Sequence, residues 1–142
     1  MAIGGARLLL SSAGLVAALK LDERHAGPDA ARTDRYVRRW AHAALRSLRV
    51  EVLGDVPWGL PSGLVVSNHR SFVDIPLLLS AFGGPLLSRA DVESWPVLGP
   101  LASIGGTIYV DRSDRQSGAG AVRRIVTGLR AGRSIGVFAE GT

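Results

Sequence analysis

From residue 50 onward this chain is cut into short apolar runs that each break off into polar or charged sequence, and that pattern leaves few folds open. Residues 64–67 lead into Asn68-His69, residues 107–110 into Asp111-Arg112, and residues 135–138 into Ala139-Glu140. Apolar runs of this length, rich in β-branched residues and bounded by glycine, read as buried strands. Residues 74–82 and 119–131 have the length and spacing of helices. Further strands are expected at 50–53, where Val50 and Val52 flank Glu51, and at 85–88, with a Gly/Pro loop over 57–63. Strands alternating with helices predict an α/β domain on a largely parallel sheet with flanking helices. Ligands of such sheets gather beyond the carboxyl ends of the strands. His69, Arg112 and Glu140 each follow a strand, which makes them candidates for one shared site.

Residues 1–49 have a different texture and are expected to form a helical, membrane-associated segment ahead of an α/β domain at 50–142. Residues 8–19 are apolar but fall short of the about 20 residues a spanning helix needs, so partial insertion or packing on the protein is expected. Only Arg7 precedes that stretch and no A-x-A site follows it, which argues against a secretory signal. A polar turn is expected over 22–29, then a helix over 33–48. Val37, Trp40, Ala41, Ala44, Leu45 and Leu48 share one side of that helix, and Arg35, Arg38, Arg39, His42, Arg46 and Arg49 lie largely around the other. A basic amphipathic helix is either a core-packed helix with a solvated face or a surface for anionic lipid. The apolar helix before it favours the membrane, at its cytoplasmic face.

With 46% hydrophobic residues the chain can bury a core. It has no cysteine, which excludes disulfides, thiolate metal sites and a cysteine nucleophile. His25, His42 and His69 show no metal-ligand spacing, so no metal is expected. The net charge of +5 is carried almost wholly by arginine, Lys20 being the single lysine. Arginine grips phosphate with a planar fork, so a nucleic acid, an anionic membrane or a phosphorylated substrate would suit it. No zinc-finger, RNP-like or basic-zipper pattern accompanies the charge, so nucleic acid is not expected as a partner. No Walker A pattern occurs, and the fingerprint-like stretch 118–123 has Arg123 at its third glycine position, the mark of an ordinary helix entry.

The chemistry concentrates in Asn68-His69-Arg70-Ser71-Phe72-Val73-Asp74. A neutral imidazole takes a proton from an attacking hydroxyl, and a carboxylate beside it fixes the tautomer and stabilises the imidazolium. Residues five apart on a helix point about 140° away from each other. His69 therefore has to precede the helix that Asp74-Ile75-Pro76 begins. On these residues alone a second reading stands: Asp74 is a helix N-cap behind a turn histidine.

Three ordered segments set these residues in a larger pattern: N-H-x-x-x-x-D at His69 and Asp74; Gly106-Thr107-Ile108-Tyr109-Val110-Asp111-Arg112; and Phe138-Ala139-Glu140-Gly141-Thr142. Together they resemble the glycerophospholipid acyltransferase family, most like its 1-acylglycerol-3-phosphate acyltransferases, whose blocks are N-H-x-x-x-x-D, G-x-x-F-I-D-R-like and F-P-E-G-T. Arg89, followed by Pro96-Val97-Leu98-Gly99, resembles the family's basic residue and P-x-x-G turn. The likeness runs from about Val50 to Thr142, with Ala139 for the usual proline, Arg89 for the commoner lysine and Tyr109 for phenylalanine. Relatives continue beyond the last block, so the resemblance implies an acyltransferase domain incomplete at its C-terminus and a chain of little or no activity.

The resemblance implies transfer of a fatty acyl group from acyl-CoA or acyl carrier protein, with no further cofactor, to the free hydroxyl of 1-acylglycerol-3-phosphate, giving phosphatidic acid in phospholipid biosynthesis. His69 would be the base and Asp74 its orienting acid. Arg112 would hold the acceptor phosphate, and Gly106, Glu140 and Gly141 would help to bind the acceptor. Plainer readings are an Arg112 salt bridge to Asp111 or Asp114 and a strand-end turn at Glu140-Gly141. The acceptor could instead be another lysophospholipid or glycerol 3-phosphate, and a non-catalytic lipid-binding membrane module would keep the same apolar and basic pattern.

Overall fold

The computed structural model describes residues 2–54, 62–96 and 98–140. The expected loop at 57–63 falls mostly outside these residues. The chain forms two compact units, one of residues 1–59 and 71–83, the other of residues 60–70 and 84–142.

The first unit is helical: α1 (Ala2–Ala26), α2 (Ala30–Ser47) and α3 (Asp74–Phe82). α1 runs through much of the expected polar turn, because Asp22, Glu23 and Arg24 are acceptable helix formers with an ion pair from Asp22 to Arg32 at 3.6 Å. The chain turns at Gly27, whose φ of 75° suits glycine, and Asp29 then caps α2 by accepting from the amides of Ala31 and Arg32. α2 buries Val37, Trp40, Ala41, Ala44 and Leu45, and the Trp40 indole donates to Ser12 Oγ of α1 at 2.9 Å. Arg38, expected on the polar face, is part-buried and donates to the Phe82 carbonyl at 2.9 Å, filling an acceptor at the end of α3. α3 closes at Gly83, at φ 76°, where a Cβ would lie 2.1 Å from the Asp34 carbonyl oxygen.

The expected strand at 50–53 does not form. Arg49 turns left-handed at φ 56°, the Val50 amide returns to Leu45 O at 3.0 Å and the Arg49 amide to Arg46 O at 3.1 Å. This pair of bonds is a Schellman closure of α2, which consumes the backbone a strand would use. Leu53 is left 84% exposed.

The second unit is the α/β layer, with β1 (Leu64–Ser67), β2 (Leu87–Arg89), β3 (Ile108–Val110) and β4 (Ile135–Phe138). β1 pairs with β4 and β2 with β3, both in parallel, and a parallel bridge between Leu86 and Gly136 joins the pairs in the order β1-β4-β2-β3. A short 3-10 turn (Ala90–Ser94) and α4 (Leu98–Ile104) separate β2 from β3, in place of the simple P-x-x-G turn expected there. The glycine of that motif has a steric reason: a Cβ on Gly99 would lie 2.1 Å from the Glu93 carbonyl oxygen. α5 (Arg115–Arg130) starts earlier than the expected 119, since Asp114 caps it through the Gln116 and Ser117 amides. Ile108, Ala121 and Ile135 form the core, with Leu87, Val110, Ile125 and Leu129 packed against it. Parallel strands with flanking helices are thus the observed architecture. Among the described residues no helix is long and apolar enough to cross a membrane.

Candidate active site

Because the strands are parallel, their carboxyl ends lie along one edge of the sheet, and the register pairs Ser67 with Phe138 and Arg89 with Val110. The Ala139 amide donates to Ser67 O at 2.9 Å, which ties the exits of β1 and β4 together. His69 leaves β1 just beyond this point, and its half-buried imidazole stacks on the Phe138 ring, with centroids 4.2 Å apart and planes at 19°. The first and third sequence blocks therefore meet through a histidine face and a phenylalanine. Phe138 was anticipated only as a strand end, and its place in the third block was the signal for more. Glu140 is exposed at the same exit, and Gly141 lies outside the described residues.

Asp74 is the first residue of α3, and its Oδ2 accepts from the Ser71 amide at 2.7 Å. The cap position belongs to Val73, which makes no side-chain cap bond, and Asp74 stands beside it at the helix start, with Pro76 in the first turn as expected. The Asp74 carboxylate orders the turn leading into the helix. His69 does precede the helix, as the angular argument requires.

Arg112 follows β3 and is exposed; it makes no hydrogen bond or ion pair among the described residues. The two carboxylates considered as its salt-bridge partners are engaged locally. Asp111 Oδ1 accepts from the Ser113 amide at 2.9 Å and from the Ser113 hydroxyl at 2.6 Å, and Asp114 caps α5. Those bonds to Ser113 hold the Asp111 carboxyl below its ordinary pKa. Arg89, Ala90, Asp91, Val110, Asp111 and Arg112 line an open depression of about 360 Å³ at the exits of β2 and β3. Arg89 is paired inside it with Asp91, Nε to Oδ1 at 3.0 Å and Nη2 to Oδ2 at 3.1 Å. Gly106 supplies the left-handed residue, at φ 76°, of the turn between α4 and β3. Tyr109 places its hydroxyl 3.0 Å from Ser103 Oγ and 3.4 Å from the Gly99 carbonyl, fastening β3 to α4. No cluster of ligands for a metal ion occurs among the described residues.

A histidine at one strand exit and an exposed arginine at another stand along the edge where parallel sheets bind ligands. The Acyltransferase family model matches residues 49–142, and the chain belongs to that family. It is 36% identical to the lyso-ornithine lipid O-acyltransferase of Pseudomonas aeruginosa over 96% of this chain and 57% of that protein. It is 30% identical to the 1-acyl-sn-glycerol-3-phosphate acyltransferase of Neisseria gonorrhoeae over 56% of this chain and 32% of that one. The crystal structure of the 1-acyl-sn-glycerophosphate acyltransferase PlsC from Thermotoga maritima superposes with a TM-score of 0.60 at 22% identity, covering 95% of this chain and 60% of the other, a likeness of fold. The chain thus spans 57% or less of the length of these curated relatives.

Proposed function

We propose that this chain carries the acyl-transfer site of a lysolipid O-acyltransferase, with acyl-CoA or acyl carrier protein as donor. His69 takes the proton of the acceptor hydroxyl as the oxygen attacks the thioester carbonyl. The tetrahedral intermediate then collapses, the C–S bond breaks, and the thiolate is protonated as it leaves. Asp74 acts on the imidazole, fixing its tautomer and stabilising the imidazolium. No acyl-enzyme forms, so Ser71 is not a nucleophile. Arg112 holds the anionic head group, and Glu140, Gly141 and Gly106 shape the acceptor's position. The observation that carries this reading is the His69 ring laid on Phe138, which joins two family blocks at the edge where parallel sheets bind ligands.

The block pattern favours 1-acylglycerol-3-phosphate as acceptor, with phosphatidic acid as product, and relatives of that name support it. A lyso-ornithine lipid is the second reading, favoured by the relative matched over 96% of the chain. The test is acyl transfer to a panel of lysolipids with both donors and a His69→Ala control. Equal turnover by a folded His69→Ala protein would remove the base from the mechanism.

Attachment to the cytoplasmic face of a membrane through residues 1–49 belongs to the same proposal. Arg35, Arg39 and Arg46 of α2 and Arg49 behind it are exposed at helical spacing. Their charge suits anionic head groups at about 1 kcal/mol per arginine near the surface. His42 adds little at neutral pH, since desolvation, then Arg46 and Arg38, lower its pKa. Binding to anionic vesicles should weaken with salt, and salt-independent binding would count against it.

A further inference from the structure

The depression at the exits of β2 and β3 contains two cations and two anions, Arg89, Arg112, Asp91 and Asp111. A phosphate monoester, doubly charged near neutral pH, is best served by an excess of positive charge. Here one of the two cations is already engaged, because the Asp91 carboxylate meets the Arg89 guanidinium with two contacts of 3.0 and 3.1 Å. Among the described residues, the Arg112 guanidinium and the second oxygen of Asp111 remain available, since Asp111 Oδ1 takes the Ser113 bonds. An adjacent free donor fork and free carboxylate oxygen form a site for a group that carries both charges.

We propose that this depression reads a zwitterionic acceptor head group, with Arg112 holding a carboxylate and Asp111 an ammonium, and that the Asp91 clamp on Arg89 selects against a phosphate monoester. An ornithine acylated on one nitrogen has that chemistry, since it keeps one ammonium and one carboxylate. The inference rests on the lysolipid acyltransferase reading and chooses between its two acceptors. Asp111 is ionised through the neutral range, as an ordinary aspartate is, and its bonds to Ser113 lower its pKa further. Asp91 acts through Arg89, which makes it a specificity-determining residue outside the chemistry itself.

The experiment has two arms on the full chain. In the binding arm, Nα-acetylornithine and glycerol 3-phosphate are titrated against wild type, Asp91→Asn and Asp111→Asn by NMR chemical-shift perturbation. The zwitterion should bind wild type about tenfold more tightly than the phosphate. Asp91→Asn should free Arg89 and move the preference about tenfold toward phosphate, whereas Asp111→Asn should weaken the zwitterion alone. Tighter binding of glycerol 3-phosphate by wild type, or a ratio that Asp91→Asn leaves unchanged, overturns the proposal. In the activity arm, the same proteins are given the two lysolipids. Transfer to neither, with head-group preference intact, counts against the catalytic reading and leaves the recognition site standing; transfer favouring 1-acylglycerol-3-phosphate counts against the recognition site and leaves the catalytic reading standing.

Discussion

The exits of β1 and β4 and the exits of β2 and β3 lie on the same sheet edge but are built differently. At β1 and β4 the backbones are tied by the bond from the Ala139 amide to Ser67 O, and the half-buried His69 ring rests on Phe138. At β2 and β3 the charged groups are exposed to solvent: Arg89 pairs with Asp91, Asp111 bonds to Ser113, and Arg112 has no partner among the described residues. In strand order the outermost exits are three spacings apart, about 14 Å at about 4.8 Å per spacing. The difference suits two tasks. Under the proposed function, proton transfer tolerates little error in placement, which a histidine packed on an aromatic ring would meet. Head-group recognition works through long, solvated side chains and can be adjusted residue by residue.

The largest effect expected is at the packed end. His69→Ala should reduce acyl transfer by about 10² to 10⁴, the usual contribution of a positioned base, with the fold retained in circular dichroism. Asp74→Asn should reduce turnover as well. It keeps the acceptor oxygen for the Ser71 amide, so a loss of rate without loss of stability would separate a role on the imidazole from the ordering of the turn. If His69→Ala lowers stability and leaves turnover intact, the two exits do not divide the work as argued.

A second test strains the open end through its backbone. Gly99→Ala places a Cβ 2.1 Å from the Glu93 carbonyl oxygen, and the backbone of the turn has to move. A loss of about 2 kcal/mol in urea unfolding is expected, typical of a steric substitution against backbone. Because the turn that has to move also carries Asp91 of the depression, acceptor KM should rise while the His69 end keeps its turnover. An unchanged unfolding midpoint would mean the turn has room that the structure does not give it.

Arg112→Ala comes next, with acceptor KM raised by about tenfold, near 1.4 kcal/mol, and a smaller fall in turnover. Its stability should hardly change, since Arg112 has no ion pair among the described residues to lose. A drop in melting temperature with KM unchanged would make it a structural residue.

What the sequence disclosed follows from how local each feature is. Residues 64–67, 74–82 and 135–138 are apolar runs between sharp punctuation, and they form β1, α3 and β4 with those bounds. The strand expected at 50–53 failed because an arginine, not a glycine, takes the left-handed position that closes α2, so nothing in composition announced the stop. α4 was hidden by the Pro96 to Gly99 pattern, which read as a turn, yet Gly99 and Pro100 occupy the first turn of a helix, where proline is tolerated. Asp114 was visible as an acid near Arg112 and turned out to cap α5. The stacking of His69 on Phe138 joins residues far apart in the chain and follows from the register of β1 on β4, which short-range pattern does not encode. The candidate residues were legible as strand-exit positions, whereas the division of the edge into a packed end and an open end required the sheet order.

The smallest effect expected is at Tyr109, where the family's usual residue is phenylalanine. Its hydroxyl sits 3.0 Å from Ser103 Oγ and 3.4 Å from the Gly99 carbonyl, bonds from β3 to α4 that a phenylalanine cannot make. Ser103 is exposed, so water replaces the lost partner there, and the ring itself stays in place in Tyr109→Phe. Stability should fall by about 0.5–1 kcal/mol, the net worth of an ordinary hydrogen bond, seen as a lower urea midpoint at constant slope. Acceptor KM should stay as it was, because the hydroxyl faces α4 while the charged groups of the depression belong to Arg89, Asp91, Asp111 and Arg112. A clear rise in KM from so slight a change would show that the open end is held to tighter tolerances than its exposure suggests, and would narrow the contrast between the two ends of the sheet edge.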